Sequence, residues 1–185
     1  MPILGMALVA AGILGLFLHI QKTTPIVFDY VNDTPVNAAQ TSSEEIEYVS
    51  GKPVNISIPS IGMNLEVKPG YYNAASQSWT LSETAAHYAT ITKPANNKEG
   101  NTFIYGHNLP KVFEPLSNLK AGDIAYIGTD NGKTFKYRLN RVTVASPSDT
   151  AVLRYSGSPV LTIQTCSGAW YEKRSLFWFE YVEVT

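Results

Sequence analysis

One cysteine, Cys166, is all that this chain of 185 residues contains. A single thiol closes no internal disulfide, so no disulfide framework holds the fold. Only three histidines occur, at 19, 87 and 107. Scattered as they are beside one cysteine, they show no metal-ligand spacing, so the usual zinc patterns are excluded. Charge is sparse at 16%, and 14 Lys and Arg stand against 15 Asp and Glu. A net charge of −1 argues against a nucleic-acid binder driven by phosphate contacts. Internal repeats and low-complexity tracts are absent. No cofactor is called for, and no metal site. Glu66, Glu83, Glu99 and Asp149 are the acidic candidates for calcium, but each is better explained as solvated surface.

Charge is missing altogether from residues 2–20, apart from His19 at the edge. As a helix this run extends about 28 Å, close to the hydrocarbon thickness of about 30 Å. We read residues 1–21 as a transmembrane signal anchor, single-pass, rather than a cleaved signal peptide. No small-x-small cleavage site follows the run closely. No Lys or Arg precedes it and Lys22 follows, so charge does not set the orientation. An extracytoplasmic placement follows instead from the chemistry argued below.

Residues 22–49, rich in Thr, Asn, Asp, Ser and Glu, show no sustained period and read as an extracytoplasmic linker. The remainder, 50–185, is the candidate catalytic domain. From residue 48 onward 13 basic residues face 10 acidic ones, a mild excess suited to an anionic envelope. With 44% hydrophobic residues the chain affords one medium core.

The domain reads as all-β. Val54, Ile56 and Ile58 alternate with polar residues, as do Met63, Leu65 and Val67 after Ser60-Ile61-Gly62. Runs at 102–105, 124–127, 135–139, 160–165 and 176–184 are further strands, with Val142 and Val144 prolonging one arm. Asp130-Asn131-Gly132 marks a hairpin. Phe177, Trp178 and Phe179 are apolar on both faces, which suggests a buried, closed sheet. A barrel or a sandwich satisfies this pattern. Helix is minor: Val112, Phe113, Leu116 and Leu119 have helical spacing, but Pro115 limits the piece to a turn or two.

Three residues carry candidate chemistry. Cys166 ends the run Leu161-Thr162-Ile163-Gln164-Thr165-Cys166, and a thiol at a strand end is accessible. His107, after Gly106, ends another strand and is suited to proton exchange near neutral pH. Arg174 opens the last strand and keeps its charge at any relevant pH. Together they match the needs of acyl transfer, namely nucleophile, proton carrier and oxyanion partner. Taken singly, each has a plainer explanation: buried small hydrophobe, structural histidine, solvated cation. Sequence spacing alone does not bring the three together.

Thr162-Ile163-Gln164-Thr165-Cys166 resembles the sortase Thr-Leu-x-Thr-Cys signature, with Ile163 in place of Leu. Tyr105-Gly106-His107-Asn108 resembles the strand end that carries the sortase histidine, and Arg174 matches the arginine that opens the family's final strand. Ile58-Pro59-Ser60-Ile61-Gly62, Ala86-His87-Tyr88, the Phe113 to Leu119 segment with Gly122-Asp123, and Pro147, Asp149 and Leu153 match further family segments. The likeness covers residues 52–184.

The resemblance implies a closed eight-stranded sortase-like β-barrel with short helices or 3-10 turns, preceded by the transmembrane helix. It implies a cysteine transpeptidase of the cell membrane that cleaves a C-terminal sorting signal of Leu-Pro-x-Thr-Gly type. A thioacyl enzyme then passes to an amine from cell-wall precursor or pilin. Carried over by position, Cys166 is nucleophile, His107 proton carrier and Arg174 oxyanion partner; Thr165 and Trp170 are substrate-binding expectations. No second apolar segment follows the barrel and no lid precedes it, which favours protein anchoring over pilus building. The alternatives are a cysteine hydrolase on the same barrel and a membrane-tethered binding module with an inert thiol.

Overall fold

The computed structural model describes residues 47–185; the expected anchor at 1–21 and linker residues 22–46 lie outside the described residues. Twelve strands occur in chain order: β1 (Ser50–Gly51), β2 (Pro53–Ile58), β3 (Met63–Gly70), β4 (Tyr72–Asn73), β5 (Ser78–Trp79), β6 (Ala86–Ala89), β7 (Ala95–Asn96), β8 (Asn101–Tyr105), β9 (Ile124–Thr129), β10 (Thr134–Ala145), β11 (Val160–Ser167) and β12 (Lys173–Val184). Helix among the described residues is confined to 3-10 turns at Pro59–Ile61, Glu114–Asn118 and Ala151–Arg154.

Eight strands close a barrel in the order β10-β12-β11-β8-β6-β3-β2-β9. Closure leaves no free sheet edge and gives each strand an inner and an outer row. Pairing is antiparallel except for β11 with β8 and β3 with β6. The interior is filled by Ile56, Ile58, Ile104, Ile127, Phe135, Leu161, Ile163 and Phe179, all buried. The paired small strands β1–β7 and β4–β5 stand outside the barrel.

Local chemistry sets the turns. Pro59 begins the first 3-10 turn with φ already in range, and Gly62 ends it at φ 63°, its N–H on the Pro59 carbonyl at 3.1 Å. The hairpin at 130–132 carries Gly132 at φ 79°, with the Thr129 hydroxyl donating to Asn131 Oδ1 at 2.7 Å. Pro115 sits in the first turn of Glu114–Asn118, where its missing N–H costs nothing, and the helix goes no further than five residues.

The double-sided apolarity of Phe177-Trp178-Phe179 has a specific cause. Phe177 and Phe179 join the barrel interior, while Trp178 packs on a second cluster outside it. That cluster, with Ala89, Phe103, Tyr105, Val152 and Leu176, covers the outer wall of β6, β8 and β12. Val142 and Val144 do extend β10, but they are 49% and 62% exposed. The pairing of β9 ends at Ile124 with Arg138, so beyond that point β10 has only β12 beside it.

Candidate active site

β11 lies between β8, its parallel neighbour, and β12, its antiparallel one. Side chains alternate along it: Leu161 and Ile163 enter the core, so Gln164 and Cys166 stand on the outer row. Cys166 pairs directly with Arg174 across the β11–β12 ladder. On the other flank the parallel register pairs Gln164 with Tyr105, and the Gly106 N–H donates to the Gln164 carbonyl at 3.2 Å. Two residues on, Cys166 near the end of β11 and His107 just past the end of β8 line the same groove. Histidine, cysteine and arginine thus form one row across three adjacent strands, and all three line one groove of about 190 Å³.

Thr165 ties the two strand ends together. Its side chain is 5% exposed, and its hydroxyl donates to the Gly106 carbonyl at 3.1 Å. The hydroxyl expected to meet substrate therefore holds the peptide unit before His107. Gly106 itself is required by closeness: a Cβ there would meet Val112 and Phe113 at 3.0 Å.

The β11–β12 connection shapes the cationic side. Arg174 Nη1 donates to the carbonyls of Tyr171 and Lys173, both at 2.9 Å. Gly168 has φ 89° and Tyr171, unusually for a non-glycine residue, φ 59°. The Glu172 carboxylate accepts the Trp170 N–H at 3.0 Å. Its own backbone N–H and that of Trp170 hold this carboxyl below the ordinary range. Five residues thus fold into a self-bonded frame whose carbonyls orient the guanidinium. Trp170, expected at the substrate, projects into solvent at 88% exposure.

Cys166 is half-buried, as are His107 and Arg174. Behind His107 lies His87, 2% exposed and stacked on Tyr105 at 5.8 Å between ring centroids. Burial first, then the charge of Lys68 and the proximity of His107, lower the pKa of His87. Its Nδ1 has no hydrogen-bond partner among the described residues.

The rest of the groove was not legible as a site in the sequence. Trp79 closes one end, its ring edge-on to Tyr105 at 5.2 Å, with Leu81 beside it. The opposite wall is the third 3-10 turn and the residues before it, contributing Pro147, Asp149, Val152 and Leu153. A second groove, about 300 Å³, shares His107 and Cys166 with the first and is otherwise lined by Asn108, Leu109 and Tyr171. Among the described residues no three His, Cys, Asp or Glu side chains cluster as a metal would require.

An all-β closed barrel with one outward thiol between a histidine and an arginine defines a narrow structural class. A sortase-domain family model matches residues 56–181, and the chain belongs to the sortase family. Its structure is similar to sortase A from Corynebacterium diphtheriae, with TM-score 0.60, 23% identity, and coverage of 73% of this chain and 62% of that one. It is also similar to Streptococcus agalactiae sortase C1 in complex with MTSET, with TM-score 0.57, 19% identity and coverage of 70% and 66%. Sortase E1 from Streptomyces coelicolor with a tripeptide in the active site gives TM-score 0.58, 21% identity and coverage of 73% and 90%. The chain therefore spans somewhat under two thirds of the length of the first two. A sequence search of curated proteins finds no match.

Proposed function

We propose that this protein is a cysteine transpeptidase that opens a peptide bond in a sorting signal of Leu-Pro-x-Thr-Gly type and passes the acyl group to an amine. The observation that carries this reading is the row of His107, Cys166 and Arg174 across β8, β11 and β12, on the outer wall and lining one groove.

The two grooves give the row a direction. Trp79, Leu81, Phe103 and Val152 give the first groove an apolar wall, suited to the side chains of the acyl half. The second, on the Tyr171 side, takes the leaving amine and later the incoming one, because His107 borders it. In the first step Cys166 Sγ, as thiolate, forms a bond to the scissile carbonyl carbon. The carbonyl oxygen becomes an oxyanion facing Arg174, whose remaining N–H groups donate to it. The C–N bond then breaks as His107 gives a proton to the departing amine. In the second step an amine attacks the thioester, His107 accepts its proton, and the C–S bond breaks to restore the thiolate. Sortase E1 with a tripeptide in its active site supports a peptide ligand for such a site.

The same reading uses residues 1–21 as a membrane anchor that places the barrel outside the cytoplasm, where sorting signals and envelope amines meet. The uncharged run 2–20 supports it. Protease shaving of intact cells reads that placement: a barrel protected until lysis contradicts it.

The central test incubates the full chain with a panel of Leu-Pro-x-Thr-Gly peptides and an amine such as triglycine. The expected result is an acyl adduct on Cys166 by mass spectrometry and an amine-ligated product. If the unsubstituted protein and Cys166→Ala give identical product profiles over the panel, the proposal fails. Product that forms equally well with and without amine identifies the hydrolase alternative.

A further inference from the structure

The outer wall carries more than the catalytic groove. Asp149 and Val152 border both that groove and a second depression of about 310 Å³. Tyr155 and Trp178 in turn border both this depression and a third, of about 370 Å³, which reaches Arg141 and Glu180. A chain of hollows thus runs from Cys166 along β12 to the far side of the third 3-10 turn.

Its far end is built with care. β10 and β12 slip register between Leu139 and Arg141, so that Leu139 pairs with Phe179 and Arg141 with Trp178. Without that bulge Arg141 would share the inward row of Leu139; the extra residue, Asn140, re-aims it to the outer wall. There its guanidinium lies over the Trp178 ring, 4.8 Å from the centroid. The ring is fixed by its own Nε1–H, which donates to Thr143 Oγ1 at 2.9 Å, and by Tyr155 edge-on at 5.8 Å. Among the described residues Arg141 makes no hydrogen bond or ion pair. Its donors are free, whereas the neighbouring carboxylate, Glu180, already accepts from Asn140 Nδ2. A pre-oriented guanidinium with unused donors matches a carboxylate in two-point geometry.

We propose that this outer hollow binds an acidic, extended stretch of the acyl-donor polypeptide upstream of the scissile bond, with Arg141 as the partner of its carboxylate. The assignment rests on the transpeptidase reading, which puts the acyl half in the Gln164 groove and the leaving amine on the Tyr171 side. A donor chain that continues away from Cys166 on the acyl side passes Asp149 and Val152 and arrives at Trp178. From Arg174 to Trp178 is four residues of strand, about 13 Å, so the carboxylate falls roughly four to eight residues before the cleaved bond.

The test measures binding rather than turnover. Full-length Cys166→Ala protein is titrated into three fluorescent peptides and anisotropy is followed. One is a five-residue Leu-Pro-x-Thr-Gly core; one adds eight upstream residues with three glutamates; one carries glutamines in their place. The glutamate peptide is expected to bind about five- to tenfold tighter than the core, the gain being lost with glutamines and with a further Arg141→Gln substitution. Equal binding of glutamate and core peptides overturns the proposal, and so does a gain that persists with glutamines or in the Arg141→Gln protein. The glutamine peptide needs no change at Arg141, so the outcome does not depend on that variant folding. Turnover of the core peptide by the unsubstituted protein separately decides the transpeptidase reading.

Discussion

Cys166 and Arg174 are direct partners across the β11–β12 ladder, and among the described residues the guanidinium is held by the carbonyls of Tyr171 and Lys173 rather than by an acidic side chain. Among the described residues no carboxylate pairs with Arg174, so its remaining N–H groups are open to the groove. Arg174→Lys retains charge but loses the planar fork that reaches Tyr171 and Lys173. It is expected to lower kcat by about 10²–10³-fold with little change in KM. Steady-state peptide kinetics checks this, and a rise in KM alone assigns Arg174 to ground-state binding instead.

Replacing the thiol separates chemistry from packing. Cys166 is half-buried and lies outside both apolar clusters. Cys166→Ala is expected to abolish the acyl adduct and cut turnover by more than about 10³-fold. Urea unfolding of the same variant is expected to stay within about 1 kcal/mol of the parent.

His87 gives a pH dependence with a definite sign. Its folded-state pKa lies below the ordinary 6.5, because burial disfavours the imidazolium and Lys68 and His107 oppose a further charge. The unfolded chain consequently binds the proton more readily. The stability linked to His87 is present above about pH 6.5 and is lost as pH falls through the lowered folded value. Thermal melts at pH 8 and pH 5 are expected to differ less in His87→Gln than in the parent. An equal drop in both proteins removes His87 as the source.

Thr165 predicts a coupling between a buried hydrogen bond and rate. Thr165→Val leaves the Gly106 carbonyl without its donor and costs about 1–2 kcal/mol. It also frees the peptide unit before His107, so kcat falls with stability, while Thr165→Ser restores both. Chemical denaturation and peptide kinetics on the pair check this.

Gly168 and Gly122 make a matched comparison. Both have positive φ, 89° and 94°. A Cβ on Gly122 meets nothing within 4 Å, whereas one on Gly168 runs into the Glu172 carboxylate. Each alanine variant is expected to lose roughly 1 kcal/mol of stability from backbone strain. Only Gly168→Ala is expected to lower kcat, by displacing the frame that orients Arg174. Equal rates in the two variants disprove the link between frame and site.

The three central residues were visible in the chain because each stands at one end of a strand-forming run: Cys166 and His107 close theirs and Arg174 opens its own. The strands beneath them were visible for the same reason, since alternation survives wherever one face is buried. What surrounds the row was not. Trp79 lies on a two-residue strand with no period to detect. Ala86–Ala89 is buried along its whole length, so no alternation marks it. Arg141 reaches Trp178 only through a bulge, and an added residue reverses the facing that strict alternation predicts. Trp170 could be placed beside the nucleophile in sequence, but its 88% exposure in the turn after β11 had no signal in the chain.

The parallel pairing of β8 with β11 has a temporal consequence. Thr165 and Gly106 are 59 residues apart, and among the barrel's strand pairings only β2 with β9 joins residues further apart. Contacts of such separation form slowly, because a long loop must close before they are rewarded. A chain carrying its single thiol therefore gains Arg174 through a local hairpin but has no histidine beside it until β8 and β11 have paired. On the transpeptidase reading, the proton carrier joins the thiol only as the barrel closes.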